Sequence, residues 1–164
     1  MSEAPFRVGS LDSSLDRSAF KSGMEPLDRY FCNQVSQDIK RRVTACFVAI
    51  AQDRHIAGYY TLSSASVLLS DLPETVARKL PRYPSVPTVR MRRLAIDQAF
   101  KGQGLGAAML ADALARAARS EIAAYALVAD AKDETSAAFY RHHGFLALPV
   151  QALTLFLPLA TVRA

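Results

Sequence analysis

The stretch at residues 91–120, MRRLAIDQAFKGQGLGAAMLADALARAARS, constrains this chain most. It opens as an extended apolar segment, crosses a loop with glycine at every second position (Gly102, Gly104, Gly106), and continues as an alanine-rich helix. A strand feeding a glycine-rich turn into a helix is a device for holding phosphates. The first N–H groups of a helix lack internal partners, and the helix dipole favours negative charge there. Glycine removes the Cβ atoms that would keep a diphosphate away from those donors. Lys101 adds a cation beside them. Two familiar phosphate motifs do not fit. The dinucleotide fingerprint spaces its glycines G-x-G-x-x-G, against G-x-G-x-G here, and expects an acidic residue closing a second strand about 20 positions on. The P-loop ends in Gly-Lys-Ser/Thr, but Gly106 is followed by Ala107 and Ala108. What remains is K-G-Q-G-L-G at residues 101–106, which taken alone also suits a helix start with no ligand.

Around this stretch the chain alternates strand and helix signals. Residues 6–8 suit a short first strand. Leu27, Tyr30, Phe31 and Val35 recur at helical spacing over residues 25–35, with a break at Ser36 and a further turn of helix carrying residues 40–42. Residues 43–51 are rich in β-formers, Asp53 marks a turn, and residues 56–62 return as a hairpin. Ser63, Ser64 and Ser66 continue it with a polar edge. Pro73, Pro81, Pro84 and Pro87 suit a short helix up to Leu80, then a stiff extended segment.

In the strand at residues 88–96, Val89 and Met91 share one parity while Leu94 and Ile96 share the other. One extra residue near Arg92 and Arg93 would restore a common face, which is a β-bulge. The helix after the glycine loop runs over residues 104–119, with Leu105, Met109, Leu110, Leu114 and Ala117 on one broad face. Residues 125–129 form a short buried strand. Asp133 or Thr135 caps the next helix and Gly144 ends it, before two last strands at residues 145–148 and 152–157.

With 164 residues, 51% of them hydrophobic and 21% charged, the chain is expected to form one globular domain. No apolar run approaches a membrane span, and the N-terminus has no signal-peptide pattern. Cys32 and Cys46 fit no metal spacing and point to reduced thiols in a cytoplasmic protein. With three histidines a structural zinc site is not expected, and no metal is assigned. A net charge of +5 and a pI of about 9.5 suggest an anionic partner. Basic residues cluster at 40–42, at Arg78-Lys79 with Arg82, and at Arg90-Arg92-Arg93. Each cluster suits either a nucleic-acid contact or a solvated face.

Two motifs carry a family resemblance. K-G-Q-G-L-G at residues 101–106 resembles the acetyl-CoA signature Q/R-x-x-G-x-G/A of the GNAT acetyltransferases, with Lys101 in the Gln/Arg place. D-E-T-S-A-A-F-Y-R-H-H-G-F at residues 133–145 resembles the family's N-x-x-A-x-x-L-Y-x-x-x-G-F. Phe139-Tyr140 and Gly144-Phe145 keep its spacing, while Asp133 stands for Asn and Ser136 for Ala. The resemblance implies an α/β GNAT fold: a mixed central sheet of six to seven strands, its central strand bulged and splayed, flanked by about four helices.

It also implies acetyl-CoA as cofactor. The backbone of Lys101, Gly102, Gln103, Gly104, Leu105 and Gly106 would bind the diphosphate. Leu94, Ala95 and Ile96 would pair with the pantetheine arm, and an N–H there would polarise the thioester carbonyl. Asp133, Ser136 and Phe139 are further candidate cofactor contacts. Tyr140 is the candidate catalytic residue. A phenol titrates near 10, so at neutral pH it is protonated and able to donate to the departing thiolate. A packed aromatic closing the helix against the sheet is the other reading of Tyr140. No carboxylate stands out as a general base, with Glu74 and Asp97 left as candidates. That fits an α-amino acceptor, which titrates at about 7.7–8.0, better than a lysine at about 10.4.

Further segments resemble one branch of the family. They are F-K-S-G at 20–23 followed by L-D-R-Y at 27–30, G-Y-Y-T-L at 58–62, L-P-R-Y-P at 80–84, R-L-A-I-D at 93–97 and V-A-D-A at 128–131. Together they make residues 18–158 similar to the GNAT toxins of type II toxin–antitoxin modules, the TacT/AtaT-like kind. Membership implies acetylation of the α-amino group of aminoacyl-tRNA, arrest of translation, a ribbon-helix-helix antitoxin as partner, and a homodimer. Arg78, Lys79, Arg82, Arg90, Arg92 and Arg93 are then the candidate tRNA contacts. In that branch glycine more often precedes Arg-Leu-Ala, where Met91-Arg92 stands here. Two alternatives stay open: a housekeeping GNAT enzyme acting on a small amine or a protein N-terminus, and a non-catalytic partner-binding module.

Overall fold

The computed structural model describes residues 5–162. It contains seven strands: β1 (Phe6–Ser10), β2 (Ala45–Ala51), β3 (Ile56–Leu68), β4 (Ser85–Ile96), β5 (Ala126–Asp130), β6 (Leu146–Leu148) and β7 (Gln151–Pro158). Five α-helices accompany them: α1 (Glu25–Asn33), α2 (Val35–Lys40), α3 (Glu74–Ala77), α4 (Leu105–Arg119) and α5 (Glu134–His142). The strand order is β1-β2-β3-β4-β5-β7-β6. β4 and β5 are parallel, whereas β1/β2, β2/β3, β5/β7 and β6/β7 are antiparallel, so the sheet is mixed. The helix count exceeds the sequence expectation of about four by one short helix.

Several boundaries differ from the sequence reading for local reasons. The break between α1 and α2 falls at Gln34, whose φ of −123° leaves the helical region, and not at Ser36. α2 ends at Lys40, so Arg41 and Arg42 lie beyond it, with Arg42 in the left-handed region at φ +63°. β3 runs unbroken through the serines because they keep the strand's alternation: Ser64 and Ser66 are exposed, Ala65 is half-buried and Val67 is buried. α3 is only four residues long, and the chain tightens after it through Lys79 N–H to Val76 O and Leu80 N–H to Ala77 O. The register of β4 with β5 is unbroken from Thr88 to Met91. That ladder stops one residue short of Arg92–Arg93, where sequence parity asks for a bulge. The described register shifts lie at Ala49/Ile50 and Ala147/Leu148.

The described residues pack as two compact units interleaved in sequence: residues 5–63 with Arg93–Ala113, and Ser64–Arg92 with residues 114–162. In the first, neighbouring tyrosines of β3 set the arrangement. Adjacent strand residues point to opposite faces. Tyr59 faces α1, where its hydroxyl donates to Leu27 O at 2.7 Å. Tyr60 faces α4, where its hydroxyl donates to Asp112 Oδ2. Around Tyr59 an aromatic group closes the core, with Phe31 stacked at 4.3 Å between centroids and Phe20 edge-on at 5.6 Å. Gly58, on the α4 face, lets helix and strand approach closely. A Cβ there would lie 2.8 Å from Met109 Sδ and 3.0 Å from Ala95 O. In the second unit, Val67, Val86, Val128, Leu148 and Phe156 form the buried cluster, with Val76, Ala77 and Leu80 of the α3 region packed against it. No described helix is long and apolar enough to cross a membrane.

Candidate active site

The glycine loop lies in the first unit. β4 ends at Ile96, and Asp97 then caps a 3-10 turn over Gln98–Phe100 by accepting from Ala99 N–H at 2.9 Å. The other Asp97 oxygen accepts from Lys21 N–H at 2.9 Å, and its own N–H donates to Ala57 O at 2.8 Å. With both oxygens committed to backbone donors, Asp97 is built as a brace rather than a proton acceptor. Gly102 and Gly104 follow at φ +82° and +76°, the left-handed region in which glycine is at home. A Cβ at either position would meet no atom within 4 Å. Their need for glycine therefore comes from backbone conformation, and the loop faces open space.

The first bond into α4 is Ala108 N–H to Gly104 O at 3.1 Å. The N–H groups of Leu105, Gly106 and Ala107 precede it and have no intrahelical acceptor. Leu105 is buried, which pins the first turn, while Lys101, Gly102, Gln103 and Gly104 are exposed. An anion is what such a turn accommodates. Lys101 does not hang over the loop as a loose cation. Its Nζ donates to Ser22 O at 2.7 Å.

That carbonyl belongs to the F-K-S-G segment, whose purpose the geometry makes plain. Ser22 N–H and Oγ both donate to the Asp28 carboxylate, Oγ at 2.6 Å, and Met24 N–H donates back to Ser22 Oγ at 3.1 Å. Gly23 turns at φ +93° beside Gln98. So F-K-S-G and L-D-R-Y form one bonded corner that carries Lys101. Composition holds no signal for this corner, although the spacing from Ser22 to Asp28 was visible.

Leu94 and Ile96 are half-buried and Ala95 is buried. Arg93 lies over the Tyr30 ring, with the guanidinium carbon 3.4 Å from the centroid.

Tyr140 lies in the second unit, on α5. Asp133 is the N-cap of that helix and accepts from Ser136 N–H at 2.8 Å. The N–H of Ser136 beside it holds the Asp133 carboxyl below its ordinary range. Asp thus fills the capping part that Asn would play in the family motif. At the far end Gly144 turns at φ +94°, and Phe145 N–H reaches back to Tyr140 O at 3.1 Å. Phe139 and Phe145 hold the Tyr140 ring, at 5.3 and 5.4 Å between centroids.

Tyr140 is only 4% exposed, and burial, with the nearby Asp130 charge, pushes its phenol well above the ordinary value. Its hydroxyl makes no hydrogen bond among the described residues. Nor is it walled off, because the one fully enclosed unpartnered side-chain oxygen among them is Thr88 Oγ1. A protonated phenol with its ring fixed and its hydroxyl unspent is what a proton donor requires.

The basic candidates separate by environment. Arg78, Lys79 and Arg82 are exposed, Arg78 lying 3.8 Å from Glu74 within α3 and its C-cap. Glu74 is correspondingly a surface ion-pair partner. Arg92 is exposed. Arg90 is half-buried and clamped by Asp130 through two bonds of 2.6 and 2.8 Å. Its guanidinium is engaged within the second unit.

A mixed seven-stranded sheet, a glycine turn opening a long helix, and a capped helix carrying a buried tyrosine fit the GNAT class of acetyltransferase. The chain belongs to the acetyltransferase (GNAT) family, whose sequence profile matches residues 10–145. Among characterised relatives it is similar to the tRNA-acetylating toxin of Mycobacterium tuberculosis, 34% identical over 163 residues, covering 98% of this chain and 95% of the relative. It is likewise similar to the probable toxin TacT of Sinorhizobium fredii, 31% identical over 159 residues, covering 91% and 88%. Among solved structures it matches AtaT complexed with acetyl-methionyl-tRNAfMet, with a TM-score of 0.88, 26% identity and 95% and 96% coverage. A Tyr-to-Phe mutant of KacT matches with a TM-score of 0.89, 26% identity and 96% and 97% coverage. AtaTR bound with AcCoA matches with a TM-score of 0.83 and 25% identity, covering 96% and 95%.

Proposed function

We propose that this chain is a toxin that transfers acetyl from acetyl-CoA to the α-amino group of an aminoacyl-tRNA, thereby blocking translation. The full-length similarity to a tRNA-acetylating toxin carries this reading most directly. The paired presence of the left-handed glycine turn and the unspent Tyr140 hydroxyl supports it chemically. Acetyl-CoA supplies the acyl group as a thioester. Residues of this chain do the rest. Backbone N–H groups of residues 101–106 bind the diphosphate, with Leu105 holding the turn in place. The backbone of Leu94, Ala95 and Ile96 orients the pantetheine arm. Asp133 and Ser136 fix the start of α5, and Phe139 steadies the ring that follows. Tyr140 holds the proton that the leaving sulfur takes up.

The neutral α-amine of the acceptor needs no strong base. That agrees with the commitments of Asp97 and Glu74 described above. Exposed Lys79, Arg82 and Arg92, together with Arg78 in its exposed pair with Glu74, are the tRNA-contact candidates that remain on the surface, while Arg90 and Arg93 are engaged by Asp130 and Tyr30. We further propose a single catalytic GNAT domain, active in the cytoplasm as a homodimer and silenced by a ribbon-helix-helix antitoxin. Incubation with labelled acetyl-CoA and either charged or deacylated tRNA tests the assignment. Label should appear on charged tRNA alone. Acetylation of small amines or protein N-termini, with charged tRNA ignored, overturns it in favour of a housekeeping enzyme.

A further inference from the structure

The hairpin joining β2 to β3 turns at residues 52–55, where Arg54 has φ +71° and its N–H donates to Ala51 O at 2.9 Å. An L side chain is disfavoured in that region, and glycine is the residue it suits. Arginine there stands against its own backbone preference. Arg54 lines a cavity of about 700 Å³ in the first unit, together with Arg7, Asp12, Leu15, Ile50 and Gln52. Arg7 reaches it from β1, where it stands opposite Ile50.

Among the described residues neither guanidinium makes a hydrogen bond or a close ion pair; the Asp12 carboxyl is held below its ordinary range first by the Ser14 N–H and last by the Arg54 charge acting through space. By contrast, Arg17, Arg29, Arg90 and Arg141 each hold a named oxygen. Asp12 is the acid of the lining, and its Oδ1 already accepts from Ser14 N–H at 3.0 Å. Two guanidiniums against one carboxylate leave the cavity cationic over an apolar floor of buried Leu15 and half-buried Ile50.

We propose that this cavity is an RNA phosphate subsite, in which Arg7 and Arg54 hold a backbone phosphate of the tRNA while Leu15 and Ile50 carry the adjoining sugar. The proposal rests on the tRNA-acetylating reading above. A phosphate suits two guanidiniums whose donors hold no hydrogen bond, because each presents a planar fork matched to phosphate oxygens. Such contacts position an RNA without reading its sequence. The subsite would therefore strengthen binding of charged tRNAs alike.

The test measures charged-tRNA affinity by fluorescence anisotropy across a salt series, for native protein, Arg7→Ala, Arg54→Gly and the double variant. Each single change should weaken binding by about 3- to 10-fold and lower the salt slope by about 1. Arg54→Gly should keep or raise the melting temperature, since it relieves the left-handed strain, so a loss of binding cannot be unfolding. The KM for acetyl-CoA should stay unchanged. Unaltered tRNA affinity and salt slope in the double variant, with native protein binding normally, overturns the subsite alone. A raised KM for acetyl-CoA with intact tRNA binding overturns it too, by giving the cavity to the cofactor. Native protein that neither binds nor acetylates charged tRNA overturns the functional reading itself.

Discussion

Arg93 lies over Tyr30 with its guanidinium carbon 3.4 Å from the ring centroid, and the Tyr30 hydroxyl donates to Asp38 Oδ2 at 2.7 Å. One cation thereby ties β4 to α1, and one phenol ties α1 to α2. Partly desolvated contacts of this kind contribute about 1–2 kcal/mol. Arg93→Ala should destabilise the fold by that amount in urea denaturation, while Arg93→Lys retains part of it. Asp38 adds a pH dependence. The Tyr30 hydroxyl, then Gln34, holds its carboxyl below the ordinary range. A carboxyl depressed in the folded state contributes stability above its unfolded value and loses it as pH falls through the folded one. The acid limb of stability should therefore be flatter in Tyr30→Phe.

Tyr140→Phe keeps the ring against Phe139 and Phe145 but removes the proton. Its kcat should fall by about 100-fold or more with little change in KM for acetyl-CoA or in melting temperature. Burial raises the Tyr140 phenol, so it stays protonated across the neutral and mildly alkaline range. The rate should accordingly rise with pH as the acceptor amine deprotonates near about 8, with no fall before about pH 10. A descending limb centred near neutrality, or a Phe variant with native kcat, would remove Tyr140 from the chemistry.

The glycines divide by cause. At Gly104 an added Cβ meets nothing, but φ is +76°, so Gly104→Ala should cost about 1–2 kcal/mol of backbone strain and raise the KM for acetyl-CoA. At Gly58 the backbone is unstrained, yet a Cβ would press on Met109 Sδ and the Ala95 carbonyl. Gly58→Ala should cost about 1–3 kcal/mol through overpacking, and Met109→Ala should partly rescue it. Calorimetry on the single and double variants distinguishes the two causes.

Thr88 is 4% exposed, and its Oγ1 is buried with no hydrogen-bond partner among the described residues. Valine has nearly the same shape without the polar atom. Thr88→Val should be stabilising by about 1 kcal/mol, read as a higher urea midpoint at unchanged m-value. A destabilised variant would mean that the hydroxyl has a partner in solution.

What the chain alone determined is local. Three glycines in alternate positions, an alanine-rich run after them, and an Asp cap followed by Phe-Tyr and Gly-Phe act within a few residues of one another. Backbone preference and side-chain period make such signals readable one segment at a time. What the tertiary structure decided lies between residues far apart in sequence: Lys101 on the Ser22 carbonyl, Tyr60 on Asp112, Arg93 on Tyr30, Arg90 on Asp130. Charge counting treated Arg90, Arg92 and Arg93 as one basic cluster, but folding gave the first a carboxylate and the third an aromatic ring. A side chain's charge is written in the sequence; whether that charge is already spent depends on which distant group the fold brings to it.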